Sequence, residues 1–249
     1  MMSSSDKKLI IVGASSGIGK ELARRYVDNG WLVGITGRRS ELLNQMQHEY
    51  PGRVFTECFD VTANDNIRHI ESLIEKLGGL DLLIYNSGFG DPSVTLEWQL
   101  DKITYETNVK GFIEIVHYAF NYFVGQGHGH IAATSSLASI RGNSFAPAYS
   151  ASKAFMSVYM EGLYMKAKKM ARQQRSAQTV FITDIQPGFV NTKIAKGNKQ
   201  FWVAPVEKVA NQIQRAIQKR KWRVYITRRW WLIAQLMKWA PGWLYHRVG

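Results

Sequence analysis

The chain has 249 residues, 45% hydrophobic and 20% charged, which suits one well-buried α/β domain and is short for two. Its single cysteine, Cys58, excludes an intrachain disulfide framework, and no stretch approaches the roughly 20 apolar residues of a membrane span. The formal charge of +13 is uneven: from Lys208 onward there are ten Lys or Arg and no Asp or Glu, leaving +3 for residues 1–207.

The first predicted element is a strand, "KLIIV" at 8–12. "VGASSGIGKELARR" follows, with Gly13, Gly17 and Gly19 opening a helical pattern at 17–29. Missing Cβ atoms permit a tight turn and close backbone approach of a pyrophosphate, which the helix N-terminus attracts. The second strand, 32–36, ends in Gly37, Arg38 and Arg39 with no carboxylate. An acidic residue there would bind a ribose 2′-hydroxyl, whereas arginine accommodates a 2′-phosphate, so NADP(H) is the expected cofactor.

Helical periodicity continues at 40–49, 64–77, 98–124, 148–172 and 205–219. Strand-like runs fall at 53–59, 80–85, 130–135, 180–185 and 222–226. Strands alternating with helices predict an α/β fold: a doubly wound, Rossmann-like parallel sheet of about seven strands, with ligands at the strand C-terminal ends. No internal repeat or interdomain linker interrupts the pattern. His128 and His130 flank a glycine before a strand; with no further ligand signalled, a plain turn is expected and no metal site. Cys58 is expected in the core.

"AYSASKAF", 148–155, puts Tyr149 and Lys153 one helical turn apart on one face. A phenol with an ordinary pKa of about 10 is a poor proton-transfer group at neutral pH. A unit charge about 5 Å away, at an effective dielectric of about 20, is worth about 3 kcal/mol, or about two pKa units. Spacing alone is weak evidence, because Tyr164 and Lys168 repeat it.

The ordered set of motifs resembles the short-chain dehydrogenase/reductase family over about residues 8–226. Gly13, Gly17 and Gly19 match its glycine motif, which brings Ser15, Ser16 and Ile18 into the cofactor loop. Asp60 of "CFDVT", followed by Val61, matches the family's adenine-contacting acidic residue, and Asn86 and Gly88 match its N-N-A-G motif, from which Tyr85 and Ser87 depart. The resemblance implies a catalytic set of Asn108, Ser136, Tyr149 and Lys153. It also implies that Pro187, Gly188, Val190 and Thr192 line the nicotinamide.

In this reading Ser136 donates a hydrogen bond to a substrate carbonyl oxygen and Tyr149 protonates it. Lys153 lowers the phenol pKa and holds the nicotinamide ribose, while Asn108 places a water that links Lys153 to solvent. The pair at 164 and 168 has no serine at the required offset and is expected to be structural. The implied reaction is NADP(H)-dependent hydride transfer between nicotinamide C4 and a carbonyl or secondary-alcohol carbon. An epimerase or dehydratase on the same fold, or a cofactor-binding interaction protein, are the other readings. A homodimer or homotetramer through the helices at 98–124 and 148–172 is implied as well.

Residues 227–249 form a basic, Trp-rich extension to the domain at 1–226, helical over 230–240 before Pro241 and Gly242. Eleven helical residues span only about 16 Å, too short to cross a bilayer. The extension is expected to cover its own domain or a partner subunit, or to lie on an anionic membrane; charge alone argues little for nucleic acid. Phe189, Ile194, Phe201 and Trp202 between Gly188 and the helix near 205 point to an apolar, lipophilic substrate. The lone thiol and the absence of an apolar leader in "MMSSSDKK" make the cytoplasm, or the inner face of its membrane, the expected location.

Overall fold

The computed structural model describes residues 6–91, 95–173, 175, 177–191 and 202–247. Its strands are β1 (Lys8–Val12), β2 (Leu32–Gly37), β3 (Val54–Cys58), β4 (Leu82–Tyr85), β5 (Gly129–Thr134), β6 (Val180–Pro187) and β7 (Arg223–Ile226). Helices α1 (Gly17–Asp28), α2 (Ser40–Glu49), α3 (Asn66–Leu77), α4 (Trp98–Tyr105), α5 (Gly111–Gln126), α6 (Pro147–Gln173) and α7 (Val206–Gln218) alternate with them. Two short helices, α8 (Trp230–Trp239) and α9 (Gly242–Tyr245), follow β7.

All seven strands pair in parallel, in the order β3-β2-β1-β4-β5-β6-β7. The order reverses between β1 and β4, and such a switch point opens a crevice at the strand C-terminal ends. Register sets its walls, because Val12 pairs with Tyr85 and the next residues are Gly13 and Asn86.

Side chains of β1 alternate between two cores. Ile10 and Val12 pack with Phe112, Phe123 and Met156 under α5 and α6; Leu9 and Ile11 pack with Leu22, Tyr26 and Ile213 under α1 and α7. A strand buried on both faces needs a continuous apolar run, which is what "LIIV" supplies. Each such side chain is worth about 1.5–3 kcal/mol of burial.

Two details differ from the sequence reading. The helix expected at 98–124 is broken by a π-helical turn at Glu106–Lys110, between α4 and α5. Cys58 is exposed, because it is the last residue of β3, which stands at the sheet edge and pairs only with β2. His130, which opens the predicted strand as well as closing the expected turn, is buried within β5, with its Nε2 2.8 Å from Thr183 Oγ1, and burial lowers its pKa to about 4.

Candidate active site

The glycine loop joins β1 to α1 at the switch point. Gly13 has φ +87°, and a Cβ there would lie 2.6 Å from the Ser87 amide nitrogen, so only glycine fits. Asn86 donates from Nδ2 to the Gly13 carbonyl at 3.0 Å and accepts from Thr134 Oγ1 at 3.1 Å. A Cβ on Gly19 would come within 2.9 Å of that Nδ2. Ile18 is buried under the first turn of α1, which carries no acidic residue to repel an anion.

Arg39 reaches from the end of β2 to this loop, donating from Nη2 to Ser15 Oγ at 2.7 Å and Ser16 Oγ at 2.8 Å. The exposed Arg38 pairs with Asp60 at 3.3 Å, and Asp60 also accepts from the Thr62 amide at 3.0 Å. Val61 is buried beside it, its carbonyl accepting from Asn66 Nδ2 at 3.0 Å. The Arg39 guanidinium, two hydroxyls and a helix N-terminus thus converge where the sequence predicts a phosphorylated ribose and a pyrophosphate, with Arg38 held beside Asp60. The donor set fits them.

The four predicted catalytic residues lie across β5, the π-turn and α6. Ser136 follows β5, and its Oγ accepts from the Ala138 amide at 3.1 Å. The Ser136 hydroxyl is a near neighbour of the Tyr149 phenol. Burial raises the Tyr149 pKa, and the neighbouring Ser136 hydroxyl opposes that shift. Lys153 is buried, with Nζ donating to the Thr134 carbonyl at 2.9 Å and lying 5.7 Å from the Tyr149 ring centroid. Burial lowers its pKa to about 7, while the Asp184 carboxylate pulls it back up. The sequence reading has the lysine shifting the phenol downward; in this arrangement desolvation dominates both groups.

Asn108 sits fully buried in the π-turn. Its Oδ1 accepts from the Phe89 amide at 2.9 Å, while Nδ2 donates to the Phe89 carbonyl at 2.7 Å and to Ser152 Oγ at 2.9 Å. Both amide protons are therefore committed to protein partners, so a water linking Lys153 to solvent needs a partner other than that NH2 group. Gly88 lies between Asn108 and Lys153: a Cβ there would be 3.2 Å from Lys153 Nζ and 3.5 Å from Asn108 Oδ1. Tyr85, which departs from the family motif, is core, donating its hydroxyl to the Thr107 carbonyl at 2.7 Å.

Tyr164 and Lys168 lie further along α6, where the ring stacks on Trp222 at 5.2 Å. Pro187 ends β6, and the Gly188 amide donates to the Ile226 carbonyl at 2.7 Å. Val190 is buried and bridges to Ala204. Thr192, Ile194 and Phe201 lie outside the described residues.

Sequence reasoning misses two features. Behind Ser136 and Lys153 lies a buried ionic network: Asp184 accepts from Ser135 Oγ, from Ser157 Oγ at 2.7 Å, from Gln186 Nε2 at 2.8 Å and from Arg223 Nε at 3.0 Å. An aspartate inside the apolar run of β6 was its one signal. The second is the site wall built by the extension. Trp230 is buried against Gly188, where any Cβ would overlap its indole, and packs edge-on to Phe189 at 5.7 Å and Trp202 at 5.8 Å. With Ala234 it covers Leu137, the residue after Ser136.

Residues 7–201 match the family model described as short chain dehydrogenase. An uncharacterized oxidoreductase of Myxococcus xanthus is 33% identical over 204 residues, covering 80% of this chain and 78% of its own. A short-chain dehydrogenase/reductase of Burkholderia phymatum, solved in complex with NAD, superposes with a TM-score of 0.82 at 19% identity, covering 95% of this chain and 94% of that one. ElxO, solved with NADP bound, superposes at 0.75 with 20% identity, covering 89% and 97%. The match of most of the chain to the family model, and a relative above 30% identity over four-fifths of its length, establish that this protein belongs to the short-chain dehydrogenase family.

Proposed function

We propose that the protein is an NADP(H)-dependent oxidoreductase that moves hydride between nicotinamide and a carbonyl or secondary-alcohol carbon, with Tyr149 as the acid/base. The observation that carries this is the convergence of Ser136, Tyr149 and buried Lys153, whose Nζ lies 5.7 Å from the Tyr149 ring centroid. When bound, the cofactor supplies or accepts the hydride. Gly13, Gly19, Asn86, Ser15, Ser16 and Arg39 would hold its phosphates and ribose, and Lys153 with Gly188 would flank the nicotinamide. The Burkholderia protein's NAD and the NADP of ElxO support a nicotinamide cofactor of either kind. Arg39 on Ser15 and Ser16 favours the phosphorylated one.

In the reducing direction Ser136 donates to the substrate carbonyl oxygen, stabilising the charge that develops there. Tyr149 then delivers its proton to that oxygen. Lys153, charged once anionic groups enter the site, stabilises the phenolate left behind. Asn108 holds the 88–90 loop that forms the facing wall. The apolar surroundings of Phe189, Trp202 and Trp230 suit a lipophilic carbonyl.

NADPH oxidation with a panel of aldehydes, ketones and 3-oxoacyl thioesters tests the reading. Consumption of NADPH with a lipophilic member of the panel is expected. Conversion of a substrate with no net change in NADPH would favour an epimerase or dehydratase instead.

A further inference from the structure

Helix α8 is apolar on two sides. Its inner face, Trp230 and Ala234, is buried against the site wall. Its outer arc carries Trp231, Leu232, Leu236 and Trp239, positions that share about 140° of helix surface at 100° per residue, interrupted only by the half-buried Gln235. Leu236 is 68% exposed and Trp239 83%, and Trp243 of α9 adds a third outward side chain at 66%. An outward apolar arc of this kind is unusual on a short surface helix, whose outer face is ordinarily polar.

The charge around this arc has one sign. Arg228 and Arg229 precede α8, Lys238 lies within its last turn and Arg247 follows α9, all exposed, and no acidic residue occurs from Lys208 to Gly249. The segment is also held in place before it meets anything. Arg141 donates from Nη1 to the carbonyls of Met237 at 3.3 Å and Ala240 at 3.0 Å, capping the C-terminus of α8. Tyr245 donates to the Gly142 carbonyl at 2.8 Å, and its ring lies 4.5 Å from the Arg141 guanidinium.

We propose that this face is a docking surface for an anionic lipid bilayer. Tryptophan and leucine enter the headgroup and acyl boundary, while the arginines and lysines stay in the anionic headgroup layer. At 10 residues α8 spans about 15 Å, so it lies in the interface plane, and no described helix is long and apolar enough to cross a membrane. A second copy docked symmetrically through the same patch would set these cations against their own kind, with no carboxylate in the extension to neutralise them. Because Trp230 packs on Phe189 and Trp202, docking brings the bilayer beside the site mouth. The inference does not depend on the oxidoreductase reading.

Flotation of the full chain with vesicles of phosphatidylglycerol and phosphatidylcholine, against phosphatidylcholine alone, tests it. Binding to the anionic vesicles is expected, with a blue shift of tryptophan emission. Trp239→Glu with Trp243→Glu is expected to weaken that binding by about tenfold or more while leaving thermal unfolding and oligomeric state unchanged. No binding to either vesicle would overturn the proposal. So would equal binding by the double variant, or a wild-type oligomer that the substitutions dissociate without any vesicle binding.

Discussion

Asn108 grips both peptide groups of Phe89, accepting from its amide at 2.9 Å and donating to its carbonyl at 2.7 Å. The grip fixes the next residue, Gly90, whose missing side chain leaves room for the Tyr149 ring. A methyl at position 90 would overlap that ring, so Gly90→Ala is expected to displace Tyr149. A misplacement of about 1 Å can cost about 10²-fold, so kcat/KM should fall by that order while the Kd for NADPH stays near wild type. Unchanged kcat/KM would show that the loop has no part in placing the phenol.

Arg39 bonds Ser15 and Ser16 through one nitrogen. If it selects the phosphorylated cofactor, Arg39→Ala should raise the KM for NADPH about 10- to 100-fold, the loss of a charge-assisted contact worth about 1.5–3 kcal/mol. The KM for NADH should barely move. Steady-state kinetics with both cofactors reads the split, and a parallel rise in both would contradict the selective role.

Arg223 and Asp184 form an ion pair with the carboxylate wholly buried. Breaking one side leaves an uncompensated charge, so Arg223→Met should cost about 3–5 kcal/mol of stability. The double change Arg223→Met with Asp184→Asn should recover part of that loss. Urea unfolding of the four forms measures the coupling; additive losses would mean the pair contributes nothing as a pair.

Lys153 has a folded-state pKa of about 7, below its ordinary 10.5. Below pH 7 the lysine is charged in both folded and unfolded states, and the cost of burying that charge is fully present. As pH rises from 7 towards 10.5 the folded form gives up its proton first, and the cost fades. Lys153→Met should therefore gain stability relative to wild type most clearly near pH 6, with the gap shrinking by pH 10. Cofactor-free thermal melts across that range test it, and a pH-independent gap would contradict the burial effect.

Much of this was legible because it rests on local rules. The apolar run "LIIV", the glycine spacing and the strand-helix alternation gave every strand and the main helices to within two residues at each end. The break at Asn108 was not legible: "ETNVKG" carries no proline, and the π-turn exists to meet Phe89 and Ser152, partners 19 and 44 residues away in sequence. Cys58 was misjudged because edge position is a property of strand order. The Asp184 network and Trp230 wall are likewise long-range contacts, fixed only when β7 and α8 come to lie beside β6.

Everything proposed about the chemistry meets at one oxygen, the Tyr149 hydroxyl. Tyr149→Phe removes it and keeps the ring against Gly90. Turnover of a carbonyl substrate by this variant is expected to fall by about 10²- to 10⁴-fold, with NADPH titrating to nearly the wild-type Kd. Turnover within about tenfold of wild type would remove Tyr149 from the acid role and contradict the mechanism.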